Sequence, residues 1–252
     1  MKGTAFTEIE DRFQAFIAAS ADVPIEAMGR VETIVIPEAP RAGSDMAVAY
    51  HVGAPTLIRG DPSLLDALRE LADPTRAIAP GEFRRWATDV GWEFVDGADW
   101  HVISRDKLRV PSLPSGVRLV GLGRESLDDR ALIAGLLDES DPDDVNEAEF
   151  AMDDLDPHIV GLVDKAGAMI AMASGRIWEN DPAFDDIGVL THPDRRGQGL
   201  GGAVVAAFCI ESFDQFRLPL YRCNWSRTAS KALAVSLGFV LVGQLTAVAS
   251  NG

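Results

Sequence analysis

Residues 189–202 read VLTHPDRRGQGLGG, and this stretch decides the fold of the second half of the chain. An apolar run typical of a strand end is followed by a loop marked by a proline, two arginines and several glycines that open an apolar helix. Glycines leave backbone N–H groups accessible, and a helix N-terminus carries partial positive charge. The stretch therefore predicts a site for a phosphate. The alternative is a glycine-rich loop that only turns the chain.

One phosphate-binding interpretation is a dinucleotide loop, because Gly197, Gly199 and Gly202 satisfy the GxGxxG spacing. Such a loop begins directly after its strand, and an acidic residue ends the next strand about 20 residues later. Here residues 192–196 separate the strand from the glycines, and the next strand-like run ends in Asn224. The spacing therefore argues against a dinucleotide fold.

A second signature fits better. Residues 196–201, RGQGLG, match R/QxxGxG/A and follow a strand and His192-Pro193, which resembles motif A of the GNAT superfamily of acyl-CoA-dependent N-acyltransferases. Residues 237–239, Leu-Gly-Phe, close a helix that carries Ser230 and are similar to the second conserved segment of that superfamily. The resemblance covers roughly residues 117–252. It implies a mixed α/β fold, acetyl-CoA as cofactor, and acetyl transfer to a primary amine by direct attack in a ternary complex.

The resemblance also implies which residues of this sequence hold the cofactor. The pyrophosphate is expected on backbone N–H groups between Gly197 and Gly202, and the peptide-like pantetheine arm along Val189 and Thr191 as an added strand. The N–H of Thr191 is expected to stabilise the oxyanion. The complete set expected at the cofactor is Val189, Thr191, Arg196, Gly197, Gln198, Gly199, Leu200, Gly201, Gly202, Asn224 and Ser230.

The expected catalytic residues are Asp185, Thr191 and Ser230. Some relatives carry a glutamate base six residues before the position of Thr191, and Asp185 stands there. Asp186 points to the opposite face of a regular strand, unless a bulge exchanges the two; the plain alternative for both is a solvent-facing acid. Relatives often have a general-acid Tyr where this chain has Ala234. Because that phenol is absent, the alternative function is an acyl-CoA-binding sensor without turnover.

Composition places the chain among globular proteins with one large or two modest cores, since its 252 residues are 47% hydrophobic and 25% charged. A formal net charge of −16 argues against nucleic acid and anionic membranes as partners and favours a cationic acceptor, either a small molecule or a peptide. No apolar run approaches the ~20 residues that span a bilayer. A cytoplasmic protein is expected, and a homodimer is compatible with the sequence.

A metal site is not expected. Cys209 and Cys223 have no metal or redox spacing, and the four histidines are scattered with no HExxH pattern. The cysteines are therefore expected to be reduced structural thiols.

Residues 138–156 form an acidic segment without lysine or arginine. By resemblance, this segment borders the acceptor side of the site, where its charge would concentrate an amine cation. The alternative is a solvated acidic loop and short helix. The acidic residues are Asp138, Glu139, Asp141, Asp143, Asp144, Glu147, Glu149, Asp153, Asp154 and Asp156.

The predicted domains are residues 1–110, a linker at 111–116 and an acetyltransferase domain at 117–252. Strand, helices, three strands, helix, strand, helix and closing strands are expected in the second half. The smaller first half is a predicted α/β domain with a helix opened by Thr4, short strands, helices opened by Pro62 and Pro80, and a hairpin around Asp96-Gly97. Its sequence contains no group of residues typical of a catalytic or binding site. It is either a degenerate duplicate of the second half or a cap that shapes the acceptor pocket.

Overall fold

A computed structural model describes residues 6–37, 46–62, 65–71, 75–154, 156–178 and 181–250. The chain forms two compact units. The C unit comprises residues 102–221 and 229–240, and the N unit comprises residues 6–101, 222–228 and 241–250. The units interleave along the sequence, and the division predicted at residues 111–116 stays a prediction.

Helices and strands are mixed along the described chain. The first seven are α1 (Phe6–Ser20), β1 (Thr33–Ile36), β2 (Met46–Val52), β3 (Thr56–Gly60), α2 (Leu65–Arg69), α3 (Pro80–Asp89) and β4 (Trp92–Val102). The others are β5 (Arg118–Leu122), α4 (Leu127–Asp138), α5 (Pro142–Glu147), β6 (Ile159–Val163), β7 (Met169–Trp178), β8 (Asp181–Thr191), α6 (Leu200–Asp214), β9 (Leu218–Asn224), α7 (Thr228–Leu237) and β10 (Val240–Ser250). The mixed α/β class and the predicted order of the second half are confirmed. The cap predicted at Thr4 lies outside the described residues.

The C unit is built on a sheet in the order β5-β6-β7-β8-β9. Strands β5 to β8 pair antiparallel, and β8 pairs in parallel with β9. Helix α6 contacts β6, β7 and β8, whereas α4 contacts β7 and α5 contacts β8. The apolar core beneath α4 and α5 includes Ile133, Leu136, Phe150, Met172 and Leu190. This core holds α4, α5 and β8 together at the part of the sheet that precedes the glycine loop.

The N unit repeats part of this pattern of strand directions. Strand β10 pairs antiparallel with β2, β2 pairs antiparallel with β3, and β3 pairs in parallel with β1. The same series of directions runs through β6, β7, β8 and β9. However, β1 precedes β3 in the chain, and β3 is followed by Asp61 and a helix of five residues. The N unit thus resembles a degenerate duplicate without a glycine loop.

The predicted hairpin around Asp96-Gly97 is wrong, because β4 continues through both residues. Trp225 explains the difference. Its backbone N–H donates to the Gly97 carbonyl at 2.8 Å, and a Cβ on Gly97 would lie 2.4 Å from its indole ring. The indole N–H donates to Asp99 at 2.7 Å. Gly97 therefore does not form a turn. Its lack of a side chain lets the indole ring of Trp225, which is distant in sequence, pack directly on β4.

Both cysteines are free and buried. The described residues contain no group of three or more His, Cys, Asp or Glu side chains arranged to bind a metal ion. None of the described helices has the length and apolar content needed to cross a bilayer.

We expect the stability of the protein to fall in mild acid because of His51. Its Nδ1 lies 3.0 Å from the Ile78 carbonyl oxygen, and burial lowers the pKa of His51 from 6.5 to about 4. Below pH 6.5 the unfolded chain binds a proton that the folded chain excludes, so the free energy of unfolding decreases down to about pH 4, by on the order of 3 kcal/mol. Urea denaturation at pH 7 and pH 4.5 measures this.

Carboxylates also titrate in this interval, so the comparison is with His51→Asn, which keeps an amide donor toward Ile78. The variant is expected to lose less stability than the wild type between the two pH values. An equal loss in both proteins would contradict the assignment.

Candidate functional site

Strand β8 has one fully paired edge and one edge whose pairing stops early. It pairs with β7 from Asp185 to Thr191 without interruption, and the register shift between these strands lies before Asp185. On the other edge, the parallel pairing with β9 has three residue pairs, of which Asp186–Leu220 is the last. Strand β8 then continues to Thr191, and no pairing with β9 is present there among the described residues.

The backbone of Val189 and Thr191 points into the opening between the two strands. The His192 N–H donates to the Ile170 carbonyl of β7 at 3.0 Å. Because successive residues of a strand direct their N–H and C=O groups to opposite edges, those of Thr191 and Val189 face away from β7. Neither N–H has an acceptor in the described chain, and both residues are half-buried. This edge can therefore bind an extended, peptide-like molecule as an added strand.

The glycine loop adds a second set of free donors. Gly197 and Gly199 have φ values of 74° and 78°, and a Cβ on either would meet no atom within 4 Å. Gly199 is the N-cap of α6 without a side-chain cap, and the first bond of this turn runs from the Ala203 N–H to the Gly199 carbonyl. Among the described residues, no acceptor binds the N–H groups from Gly197 to Gly202. An anion is the partner that this helix end favours.

Close packing joins the loop to the end of β8 and to α7. A Cβ on Gly201 would lie 3.0 Å from Leu233 Cδ1 and 3.3 Å from Thr191 Oγ1. The Leu200 side chain is buried, whereas Gln198 is exposed. The structure thus brings together the residues predicted between positions 189 and 202, with Leu200 anchoring the helix start.

Two side chains tie this region to the acidic segment. Arg196 Nη2 lies 2.6 Å from Asp144 Oδ2, and its Nε donates to the Thr191 carbonyl at 3.4 Å. His192 Nε2 lies 2.8 Å from Glu139 Oε2. Part of the predicted acidic segment therefore contacts basic side chains next to the glycine loop instead of facing solvent alone.

Asp185 is fully buried on the face of β8 that α6 covers. Its Oδ1 accepts from Arg217 Nη1 at 2.6 Å, and its Oδ2 has no partner in the described chain. A Cβ on Gly175 would lie 2.4 Å from the Phe208 ring and 3.1 Å from the Asp185 Cβ. Burial, and then the Asp185 carboxylate, raise the pKa of the Cys209 thiol. These surroundings make Asp185 half of a buried ion pair.

Asp186 lies on the opposite face, toward α4 and α5. The neighbouring even position, Gly188, faces α5, since a Cβ there would lie 2.4 Å from the Ala148 carbonyl. Arg176 stands directly opposite Asp186 on β7. The Arg176 guanidinium lies 3.2 Å from Glu149, 3.9 Å from Asp154 and 4.0 Å from Asp156. Burial raises the pKa of Asp156.

The predicted residues beyond the loop have separate surroundings. Ser230 is half-buried. Ala234 is buried, and Tyr221 is buried against Phe239, with ring centroids 5.5 Å apart. Asn224 belongs to the N unit, where its amide donates to Asp96 at 2.5 Å. The amide of Asn224 therefore has a partner within its own unit.

Sequence reasoning missed Asp144, Arg217 and Leu233 as neighbours of the predicted residues. Asp144 was visible only as one of many acids in the segment 138–156. Arg217 lies 32 positions from Asp185, and Leu233 lies far from Gly201 in sequence. No local pattern signals such contacts.

Comparison with known proteins identifies the segment that contains this site. The GNAT acetyltransferase family model matches residues 161–248, which include β8, the glycine loop, α6 and α7. No curated protein is detectably similar to the chain. Residues 161–248, which carry the site, are therefore similar to the GNAT acetyltransferase family.

Solved structures share the fold at low sequence identity. A GCN5-related N-acetyltransferase from Kribbella flavida is 18% identical with a TM-score of 0.50; the match covers 67% of this chain and 63% of that protein, less than two thirds of its length. A tandem GNAT protein from the clavulanic acid biosynthesis pathway is 17% identical with a TM-score of 0.53, over 98% of this chain and 96% of that one. A GCN5-related N-acetyltransferase-like protein from Streptococcus suis is 17% identical with a TM-score of 0.50, over 96% and 99%. The two full-length matches support two GNAT-like folds in one chain.

Substitution of the loop glycines is expected to cost both stability and ligand affinity. Gly197→Ala and Gly199→Ala place a Cβ at positive φ, which costs about 1 kcal/mol of folding free energy, and disturb the free N–H groups. We expect each variant to bind coenzyme A about tenfold more weakly by calorimetry.

Gly91→Ala is the matched control, because Gly91 has a φ of 81° and equal free space but ends α3 in the N unit. It is expected to lose similar stability and to keep its affinity. Unchanged affinity in both loop variants would contradict the assignment of this loop to an anion.

Proposed function

We propose that this GNAT acetyltransferase domain binds acetyl-CoA along β8 and the glycine loop and transfers its acetyl group to a primary amine by direct attack in a ternary complex. The observation that carries the proposal is the presence of two groups of free backbone donors, one at Val189 and Thr191 and one from Gly197 to Gly202. A peptide-like arm that ends in a diphosphate complements this set. The acceptor is a cationic small molecule or peptide.

The residues that would hold the cofactor fit its chemistry. Backbone groups of Val189 and Thr191 would pair with the amides of the pantetheine arm, and the N–H groups from Gly197 to Gly202 would bind the diphosphate. Bound acetyl-CoA supplies an acyl group activated as a thioester. The N–H of Thr191 is the proposed donor to the carbonyl oxygen where negative charge develops. Ser230 is the proposed contact for the thiol side, and Asn224 stays a predicted cofactor contact.

The acidic residues on the α4 and α5 face support a cationic acceptor. Asp186 lies on this face, and the carboxylates of Glu149, Asp154 and Asp156 surround a single arginine, Arg176. Three acids around one guanidinium leave excess negative charge. Together with the net charge of −16, that excess attracts an ammonium group to this side of β8.

The acceptor ammonium must lose a proton before it attacks, and two adjacent carboxylates of β8 are the proposed bases. Asp185 is the base predicted from the sequence. To accept the proton of the ammonium group, its carboxylate would have to give up the ion pair with Arg217. Asp186 lies on the face with the excess negative charge. We therefore expect Asp186 to be the stronger candidate, with Asp185 holding the start of β8 and β9 together.

The second candidate function is an acyl-CoA sensor that binds the cofactor without turnover. Two observations favour it: Ala234 is buried where relatives often have an acidic phenol, and Asp185 is already paired. The leaving group is the thiol of coenzyme A, and a thiol with a pKa of about 8.5 can leave without a general acid. Without that acid the rate of transfer is expected to be lower, since general acid catalysis contributes a factor of about 10² to 10⁴ in rate. A cytoplasmic location and a homodimer stay predictions from the sequence.

Release of free thiol from acetyl-CoA with a panel of amines tests the enzyme. We expect thiol release with cationic primary amines and little with neutral ones. Asp186→Asn is expected to lower kcat about 10²-fold or more and to remove the acid limb of the pH profile. Asp185→Asn is expected to lower the free energy of unfolding by about 3 kcal/mol, because it leaves Arg217 unpaired in a largely buried site.

Arg217→Gln serves as the control for the ion pair, since it breaks the same contact from the other side. Equal loss of stability in Asp185→Asn and Arg217→Gln with retained kcat supports a structural role. If kcat falls in Asp185→Asn and not in Arg217→Gln, the general base is Asp185. Cofactor binding without thiol release would favour the sensor.

A further inference from the structure

Arg196 is the cation nearest in sequence to the free N–H groups, and it is already occupied. Its Nη2 lies 2.6 Å from Asp144 Oδ2, a residue in the first turn of α5. The Arg196 side chain is 49% exposed and that of Asp144 is 21% exposed. Its Nε also donates to the Thr191 carbonyl at 3.4 Å. The guanidinium thus lies between the acidic segment and the opening beside β8.

A diphosphate on the glycine loop changes the balance at this ion pair. Arginine forms paired hydrogen bonds with phosphate oxygens as readily as with a carboxylate. The exposed ion pair with Asp144 is weak, because water screens it. A doubly charged group bound next to Arg196 is therefore a stronger partner than Asp144.

Helix α5 is attached at both of its ends. At its start Asp144 binds Arg196, and at its end the Ala148 carbonyl lies against Gly188 on β8. Loss of the first contact leaves the second, together with the packing of Val145 on the apolar core. Any ligand that takes Arg196 thus loosens one end of a helix on the acceptor side of the sheet.

We propose that Arg196 exchanges Asp144 for the diphosphate of the bound acyl-CoA, so that cofactor binding releases the start of α5 beside the acceptor face. Asp144 is then an internal competitor that weakens cofactor binding and couples it to the acidic segment. This inference rests on the proposed function, since it requires that the glycine loop binds the diphosphate.

Calorimetric titration of the full-length protein with coenzyme A, ADP and pantetheine tests the exchange. We expect Asp144→Asn to tighten the binding of coenzyme A and of ADP by about fivefold, a size typical of coupled sites, and to leave pantetheine unchanged. In the background of Arg196→Gln the same substitution is expected to change nothing, because no guanidinium remains to be released.

Two controls separate the exchange from a general effect of charge. Asp143→Asn removes the same charge from the same turn of α5, and Arg195→Gln removes the neighbouring arginine, which binds Asp164 at 3.3 Å. Neither is expected to show the coupling. The inference is overturned if Asp144→Asn leaves affinity unchanged, or if it tightens binding equally with and without Arg196. Failure of the wild type to bind coenzyme A would instead refute the proposed function.

Amide hydrogen exchange in α5 gives an independent test. If the Arg196–Asp144 ion pair were only structural, coenzyme A would not change the exchange rates of this helix. The N–H groups of Val145 and Ala148 donate to the carbonyls of Asp141 and Asp144 within α5. We expect coenzyme A to accelerate their exchange severalfold in the wild type and not in Arg196→Gln. Protection or no change in the wild type would overturn the coupling.

Discussion

The separation of β8 from β9 after Asp186 and Leu220 is the constraint on which the site depends. Pairing with β9 extends over three residues, and Pro219 within it has no N–H to donate. Beyond this point Val189 and Thr191 are half-buried, and their N–H groups have no acceptor among the described residues. Free backbone donors at such a strand edge can pair with an extended molecule that lies there as an added strand. The glycine loop follows β8 after five intervening residues, and its free N–H groups favour an anion.

The acidic residues of this protein contribute to its overall negative charge and also form individual ion pairs near the site. The net charge of −16 and the run of acids at 138–156 indicate a negative surface. The structure pairs several of these acids with basic side chains that come from β7 and from the loop after β8: Glu139 with His192, Asp144 with Arg196, and Glu149 with Arg176. The acidic segment is thereby attached to the same strand and loop that carry the free donors. One segment thus adds negative charge to this side of the sheet and is joined to the loop after β8 through Asp144 and Glu139.

The N unit explains why a duplicated fold need not carry a duplicated site. Its strands β10, β2, β3 and β1 repeat the directions of β6, β7, β8 and β9. The position after β3 holds Asp61 and a five-residue helix, and an acidic side chain at that place repels an anion. The described contacts of the N unit are those of packing: Trp225 lies on Gly97, and β10 pairs with β2 in the sheet.

The sequence by itself determined the elements of the second half and the donor loop. Periodicity and proline and glycine positions act within a few residues, and Gly197 and Gly199 at positive φ followed by an apolar helix leave little choice of local structure. The tertiary structure alone decided the partners: Trp225 packs on Gly97 of β4, Arg217 pairs with Asp185, and Asp144 pairs with Arg196. Each of these contacts joins residues more than 30 positions apart. Their energies depend on burial and on neighbours that only the folded chain brings together, so no local pattern encodes them.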